Sequence, residues 1–100
     1  MARVRLLART KHRIALLRAV AAGGVTHDCG EDSYWLEDTS TGQRRTSGVT
    51  ARAKEQLAAE WIRIGPALPG QPRQHQVEPT EFGRRTLADV DEQAERFLDR

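Results

Sequence analysis

The hydrophobic pattern of this 100-residue chain changes at Gly23-Gly24, and that change constrains the fold more than any other feature. Before the glycines, apolar side chains recur at the i, i+3, i+7 spacing of a helix over residues 10–22. They are Ile14, Leu17 and Ala21, with Thr10 as the expected N-cap. After the glycines, residues 25–47 have no helical periodicity. Helices and strands within one small domain predict the α+β class.

A β-hairpin is predicted in the stretch without helical periodicity. Residues 33–36 and 43–46 flank a polar turn cluster at 39–42, which is typical of two short antiparallel strands.

A second helix is predicted over residues 49–61, with Ser47 or Thr50 as its cap. Four residues follow one another at i+4 steps and form its expected buried stripe. They are Val49, Ala53, Leu57 and Trp61.

Two further strands and a third helix complete the prediction. Residues 61–64 alternate between apolar and polar, as in a strand, and 76–78 are expected to return beside them. The proline-rich stretch 65–76 between them is predicted to be a long loop. Thr80 is expected to cap a helix that runs to the C-terminus.

A helix followed directly by a two-stranded hairpin resembles a winged helix-turn-helix domain. Residues 49–53 and 57–62 resemble the recognition helix and following strand of MarR- and PadR-type regulators and of small winged-helix proteins from actinobacteria and their phages. Residues 80–87 resemble the family's Leu-Thr-x-x-Gly-Arg segment. The chain departs from the family at Glu60, where Gly is usual, and at Gln56, where a core Leu is common. A helix between the first helix and the recognition helix is not evident.

The resemblance implies a winged helix-turn-helix fold with an extra N-terminal β-hairpin region and a C-terminal helix. Its domains are a basic N-terminal arm at 1–9, a winged-helix domain at 10–85 and the C-terminal helix at 86–100. It also implies a sequence-specific double-stranded DNA-binding protein that acts as a small transcriptional regulator. The first turns of helix 49–61 would read base edges while neighbouring basic side chains meet phosphates. The expected DNA-binding residues are Arg3, Arg5, Arg44, Arg45, Ser47, Thr50, Arg52, Lys54 and Arg73.

Charge is distributed unevenly although the net charge is only +2. Residues 1–27 contain basic side chains and no acid, 28–38 contain acids and no base, and 44–54 are basic again. If the fold joins the two basic blocks, they form a phosphate-facing surface; otherwise they are solvated helix faces. The acidic segment 28–38 is an expected site for a protein partner. The alternative function is therefore a winged-helix protein-interaction module, such as a phage protein that binds a host factor.

No enzyme, metal or cofactor is expected. Residues 27–32 gather the imidazole of His27, the thiol of Cys29 and several carboxylates, but zinc sites normally use four Cys or His ligands at recognisable spacings. An enzyme is the least expected class, because the sequence supports no constellation of a nucleophile, a base and an orienting group. Trp35 and Trp61 are expected in the core, and the alternative is base stacking.

The C-terminal helix is expected to form a homodimer, and the alternative is that it covers the domain's own core. Its apolar stripe consists of Leu87, Val90, Ala94 and Phe97. The longest apolar run is far shorter than the roughly 20 residues of a membrane span. The basic start lacks the apolar region of a signal peptide. A cytoplasmic protein is therefore expected.

Overall fold

The computed structural model describes residues 7–38 and 45–98. These residues form three helices and a five-stranded antiparallel sheet, which confirms the α+β class. In chain order the elements are α1 (Lys11–Ala21), β1 (Val25–Asp28), β2 (Ser33–Asp38), β3 (Arg45–Gly48), α2 (Thr50–Ala58), β4 (Ile62–Leu68), β5 (Gln71–Pro79) and α3 (Glu81–Leu98).

Helix α1 begins and ends as the sequence predicts. Thr10 caps it, since its Oγ1 accepts a hydrogen bond from the Arg13 backbone N–H at 3.4 Å. At the other end Gly23 has a φ of +80°, and the N–H groups of Gly23 and Gly24 return to the carbonyls of Val20 and Ala19. This pair of bonds is the Schellman motif, whose left-handed residue is normally glycine.

Helix α2 differs from the prediction at both ends. Its N-cap is Val49, which makes no side-chain capping bond, so neither Ser47 nor Thr50 is the cap. The Thr50 hydroxyl instead accepts a hydrogen bond from the Tyr34 backbone N–H at 3.0 Å, tying the helix to β2. The helix ends at Ala58 rather than at residue 61, because Glu60 adopts a φ of +61°.

The C-terminus of α2 is also a Schellman motif, with Glu60 in the left-handed position. The Glu60 N–H donates to the Leu57 carbonyl, and the Trp61 N–H donates to the Gln56 carbonyl at 2.9 Å. A left-handed conformation costs a residue with a side chain about 1–2 kcal/mol. The fold therefore requires at Glu60 a conformation that glycine adopts without strain.

Glu60→Gly is expected to stabilise the protein by about 1 kcal/mol, because it relieves the left-handed strain. Gly23→Ala is the matched control at the end of α1, where no atom lies within 4 Å of an added Cβ and only the φ matters. It should destabilise by about 1 kcal/mol. Urea unfolding of both variants checks the pair, and a loss of stability in Glu60→Gly would contradict the assignment.

The sheet has the strand order β3-β2-β1-β5-β4. The predicted hairpin is confirmed as β2 paired with β3, from Trp35 opposite Gly48 to Asp38 opposite Arg45. The predicted turn at 39–42 lies outside the described residues. Strand β1, in the middle of the sheet, was not predicted. It has only four residues, and its first three are all buried, so it lacks the polar-apolar alternation that identifies a strand.

The long loop predicted over 65–76 is wrong. Strand β4 continues to Leu68 and β5 begins at Gln71, so that Pro69 and Gly70 alone form the turn, with a φ of +72° at Gly70. Prolines are tolerated at a sheet edge or a bulge. Pro66 meets both conditions, because β4 is an edge strand and its pairing shifts between Ile64 and Ala67. The predicted return of 76–78 beside β4 is confirmed, with Val77 opposite Ile64.

The core is built around α1, which contacts β5, α2 and α3. Its buried hydrophobic residues are Ile14, Leu16, Leu17, Val20, Val25, Tyr34, Ala53, Ala59, Trp61, Ile62 and Val77. The α1 stripe is confirmed at Ile14 and Leu17 but is wrong at Ala21, which is exposed.

The predicted stripe of α2 is also partly wrong. Ala53 is buried, but the second buried residue of the helix is Gln56, and Leu57 is 36% exposed. The helix ends before Trp61, which reaches the core from the turn instead. Trp35 is half-buried and donates its Nε1–H to the Ser33 hydroxyl at 2.9 Å.

Helix α3 starts as predicted, since the Thr80 hydroxyl accepts a hydrogen bond from the Gly83 N–H at 3.0 Å. The helix is continuous from Glu81 to Leu98, so the expected boundary at 85/86 falls inside it. Leu87 and Val90 pack against the chain's own core, whereas Ala94 is exposed. The Phe97 side chain lies outside the described residues. Dimerisation through this stripe stays a prediction.

Candidate nucleic-acid interface

The exposed residues of α2 are Ala51, Arg52, Lys54, Leu57 and Ala58, and we call the surface of these residues other than Leu57 the α2 face. It lies opposite the buried pair Ala53 and Gln56, which hold the helix against the core. Within the described part of the chain, Arg52 has no carboxylate partner. The Lys54 Nζ lies 3.1 Å from the Asp32 Oδ2.

The other expected DNA-binding residues are not all placed on this face. Thr50 is half-buried, and its hydroxyl accepts a hydrogen bond from the Tyr34 N–H, which leaves its O–H free to donate; its expected contact with DNA stays a prediction. Arg73 lies on β5 rather than in a loop, and its guanidinium packs directly on Gly30 in the β1–β2 turn. Arg3, Arg5 and Arg44 lie outside the described residues, as do the side chains of Arg45 and Ser47, whose backbones belong to β3.

The first basic block is partly paired with acidic side chains, since three of its arginines contact carboxylates of α2 and α3. The ion pairs are Arg9–Asp89 at 3.6 Å, Arg13–Glu55 at 3.3 Å and Arg18–Asp91 at 2.6 Å. The hydrogen bond and charge of Asp91 raise the pKa of Arg18 above its usual value. Part of the charge asymmetry along the sequence is therefore neutralised within the fold.

The acidic β1–β2 turn stabilises its own backbone. The Asp28 Oδ1 accepts the N–H groups of Gly30 at 2.8 Å and Glu31 at 3.2 Å, and its Oδ2 accepts the Gln74 amide at 2.9 Å. The hydrogen bond from Glu31 is the largest cause that lowers the pKa of Asp28, with smaller effects from Gly30 and the Arg73 charge. The acidic segment 28–38 as a partner-binding site stays a prediction.

Asp32 joins this turn to α2. It adopts a φ of +50°, and its carboxylate meets the His27 Nε2 at 2.8 Å and the Lys54 ammonium. The hydrogen bond from His27, followed by the contact with Lys54, lowers the pKa of Asp32. The turn therefore places a carboxylate beside one of the cations of the α2 face.

The sequence already placed Cys29, His27 and Asp32 within six residues, but only as a weak candidate metal site, and their alignment in space was not predicted. The Cys29 Sγ lies 4.0 Å from the His27 Nδ1, and the other ring nitrogen contacts Asp32. The i, i+2 spacing of His27 and Cys29 was the available signal, because alternate residues of an extended chain share a face. Among the residues that the structure describes, no group of three or more His, Cys, Asp and Glu is arranged to hold a metal ion.

Comparison with protein-family models, curated proteins and solved structures returned no match. None of the helices within 7–38 and 45–98 is long and apolar enough to cross a membrane.

Proposed function

We propose that this protein binds double-stranded DNA through the α2 face and acts as a small transcriptional regulator of the winged-helix type. The observation that carries the proposal is the composition of this face. Its small Ala51 and Ala58 let the helix backbone approach a groove, and Arg52 is exposed with no carboxylate partner among the described residues. An arginine in this position suits bidentate contact with guanine or a salt link to phosphate.

The order of the elements supports the proposal. Strands β4 and β5 form a hairpin directly after α2, as the wing does in the resembled family, and α3 follows them. The fold departs from a helix-turn-helix at one point. Over the described residues, the element before α2 is the strand β3 rather than a helix. The β2–β3 hairpin, which carries Arg45, therefore stands where the family has its preceding helix.

The contact between Lys54 and Asp32 does not oppose binding. Both side chains are more than half exposed, and exposed ion pairs contribute little because solvent screens them. Lys54 can therefore exchange the carboxylate for a phosphate at small cost, and the release of counterions from DNA favours that exchange.

Arg52→Ala is expected to weaken binding to a selected duplex by about 1–3 kcal/mol. Binding to random DNA should weaken less, because an arginine that reads a base contributes to the discrimination between sequences. Arg84→Ala is the matched control. Arg84 is an exposed arginine on α3, also without a carboxylate partner among the described residues, and it lines a shallow pocket with residues of α1 and β5 rather than of α2. Fluorescence anisotropy with a duplex selected from a random library measures both variants. Equal losses in the two would contradict the assignment of Arg52.

A protein-interaction module is the second candidate, and one observation favours it. Leu57 and Phe82 are 36% and 48% exposed and line one shallow groove of about 360 Å³ between α2, β4 and α3. Large exposed apolar patches mark interaction sites, and this groove brings two exposed apolar side chains together beside Glu60 and Arg63. If the protein fails to bind DNA, this groove and the acidic segment 28–38 become the surfaces to test against protein partners.

A further inference from the structure

Cys29 has a base and a carboxylate aligned behind it. Its thiol is exposed, and the Sγ lies 4.0 Å from the Nδ1 of His27, at the outer limit of a hydrogen bond to sulfur. The Nε2 on the other side of the same ring lies 2.8 Å from the Asp32 Oδ1. A nucleophile, a base and an orienting carboxylate thus follow one another in space, as activated cysteines require.

The hydrogen bond to Asp32 fixes the tautomer of His27. An ionised carboxylate only accepts hydrogen bonds, so the Nε2 carries the proton that is donated to Asp32. The pKa of Asp32 is lowered chiefly by this bond, which keeps the carboxylate ionised. The Nδ1 then presents its lone pair toward Cys29, which is the arrangement in which an imidazole accepts a thiol proton.

The imidazole is held rigidly. His27 lies in β1, the central strand, with Tyr34 opposite it on β2 and His75 opposite it on β5. Its side chain is only 7% exposed, and the Tyr34 ring lies 4.5 Å from its own, centroid to centroid. The backbone N–H of Cys29 is fixed by the Arg73 carbonyl at 2.9 Å. The base therefore keeps its position while the thiol stays open to solvent.

We propose that Cys29 is a covalent modification site for small, uncharged carbon electrophiles, with His27 as the base and Asp32 as its positioning residue. The thiol proton moves to the His27 Nδ1, and the imidazolium is stabilised by Asp32. The sulfur lone pair then forms a bond to the electrophilic carbon, and the leaving group departs with the electron pair of the broken bond. This proposal does not depend on DNA binding.

Alkylation by iodoacetamide tests the proposal directly, because Cys29 is the chain's one cysteine. An ordinary thiol is only a few per cent ionised at about pH 7. Transfer of the thiol proton to His27 as the sulfur attacks is expected to make the native protein react about tenfold faster than the urea-unfolded chain. At about pH 10, where free thiols are ionised, the two rates should agree within about twofold. Mass spectrometry of the intact protein follows the reaction.

Two variants and a control test whether His27 and Asp32 cause the faster alkylation of the native protein. His27→Gln and Asp32→Asn should bring the rate at about pH 7 down to that of the unfolded chain. Asn tolerates the left-handed conformation of Asp32, so the second variant preserves the turn. Glu31→Gln removes the same charge from the same turn without touching His27 and should leave the rate unchanged. The proposal would be overturned if the native protein were alkylated no faster than the unfolded chain. It would also be overturned if the folded Asp32→Asn variant kept the fast rate of the native protein.

Discussion

Gly83→Ala is expected to destabilise the protein by about 3 kcal/mol or more, although alanine is the better helix former. A Cβ at this position would collide with the backbone carbonyl of Trp61, so α3 or the turn before β4 would have to move. The same junction is joined by hydrogen bonds from the Thr80 N–H to the Trp61 carbonyl at 2.9 Å and from the Thr80 hydroxyl to the Glu60 carbonyl. The loss would be a large part of a small domain's total stability.

Ala88→Gly calibrates this prediction at an exposed position of the same helix. Ala88→Gly should lower the free energy of unfolding by about 1 kcal/mol through helix propensity alone. Gly83→Ala would raise it by the same amount if its added methyl group met open space. Urea unfolding measures both variants. A Gly83→Ala protein as stable as the parent, or more stable, would contradict the close approach of α3 to Trp61.

Gln56→Glu is expected to destabilise the protein by about 3 kcal/mol or more at neutral pH, because it places a carboxylate in the core. Gln56 is fully buried between α1 and α2, and its Nε2 donates to the Arg13 carbonyl at 2.8 Å. A glutamate would place a carboxylate oxygen, which only accepts hydrogen bonds, where the Nε2 now donates to that carbonyl. Burial would raise the pKa of the introduced carboxyl, so the folded state would bind its proton more tightly than the unfolded chain does. The destabilisation should therefore shrink as the pH falls.

Gln56→Met is the matched control, with a side chain of similar shape and no charge. The Gln56 Oε1 is buried and has no hydrogen-bond partner among the described residues. Removing it offsets the loss of the single bond to Arg13, so this variant should stay within about 1 kcal/mol of the parent. Thermal unfolding over a range of pH separates the two variants. Equal stability of the Glu and Met proteins would contradict the burial of this side chain.

The helices were predictable because their signals are local. The caps Thr10 and Thr80, and the stop at Gly23, act on neighbouring residues through hydrogen bonds that the sequence spacing already implies. The end of α2 was placed three residues too late because Glu60 adopts the conformation of a glycine without being one. Only the packing of Trp61 and α3 against this turn selects that conformation.

The positions of the strands and of the buried stripe of α2 depend on contacts between residues that are far apart in sequence. Strand β1 exists because β2 and β5 pair with its two edges, and β4 continues through Pro66 because it has a free edge and a bulge. Leu57 is exposed and Gln56 buried because the C-terminal turn fixes how α2 lies on α1. No short-range pattern encodes these contacts.

The residues of the candidate site were predictable from the sequence, but their contacts with other residues were not. Arg52 and Lys54 were identified from their place on a helix, and the structure leaves both exposed. The contact of Lys54 with Asp32 required the β1–β2 turn to lie against α2, which no local pattern indicates. Ion pairs such as Arg18 with Asp91 join residues that are far apart in sequence, so the sequence alone did not indicate them.

Binding to sheared genomic DNA at two salt concentrations tests the central claim most directly. Neutralisation of about five phosphates predicts that log K falls with log salt with a slope of about −4 to −5. Arg52, Lys54 and the arginines of the N-terminal arm and the β2–β3 hairpin would supply these contacts. Affinity that falls with this slope is the result that we predict. No binding at about 50 mM salt, or a slope indistinguishable from zero, would contradict DNA binding and favour the protein-interaction module.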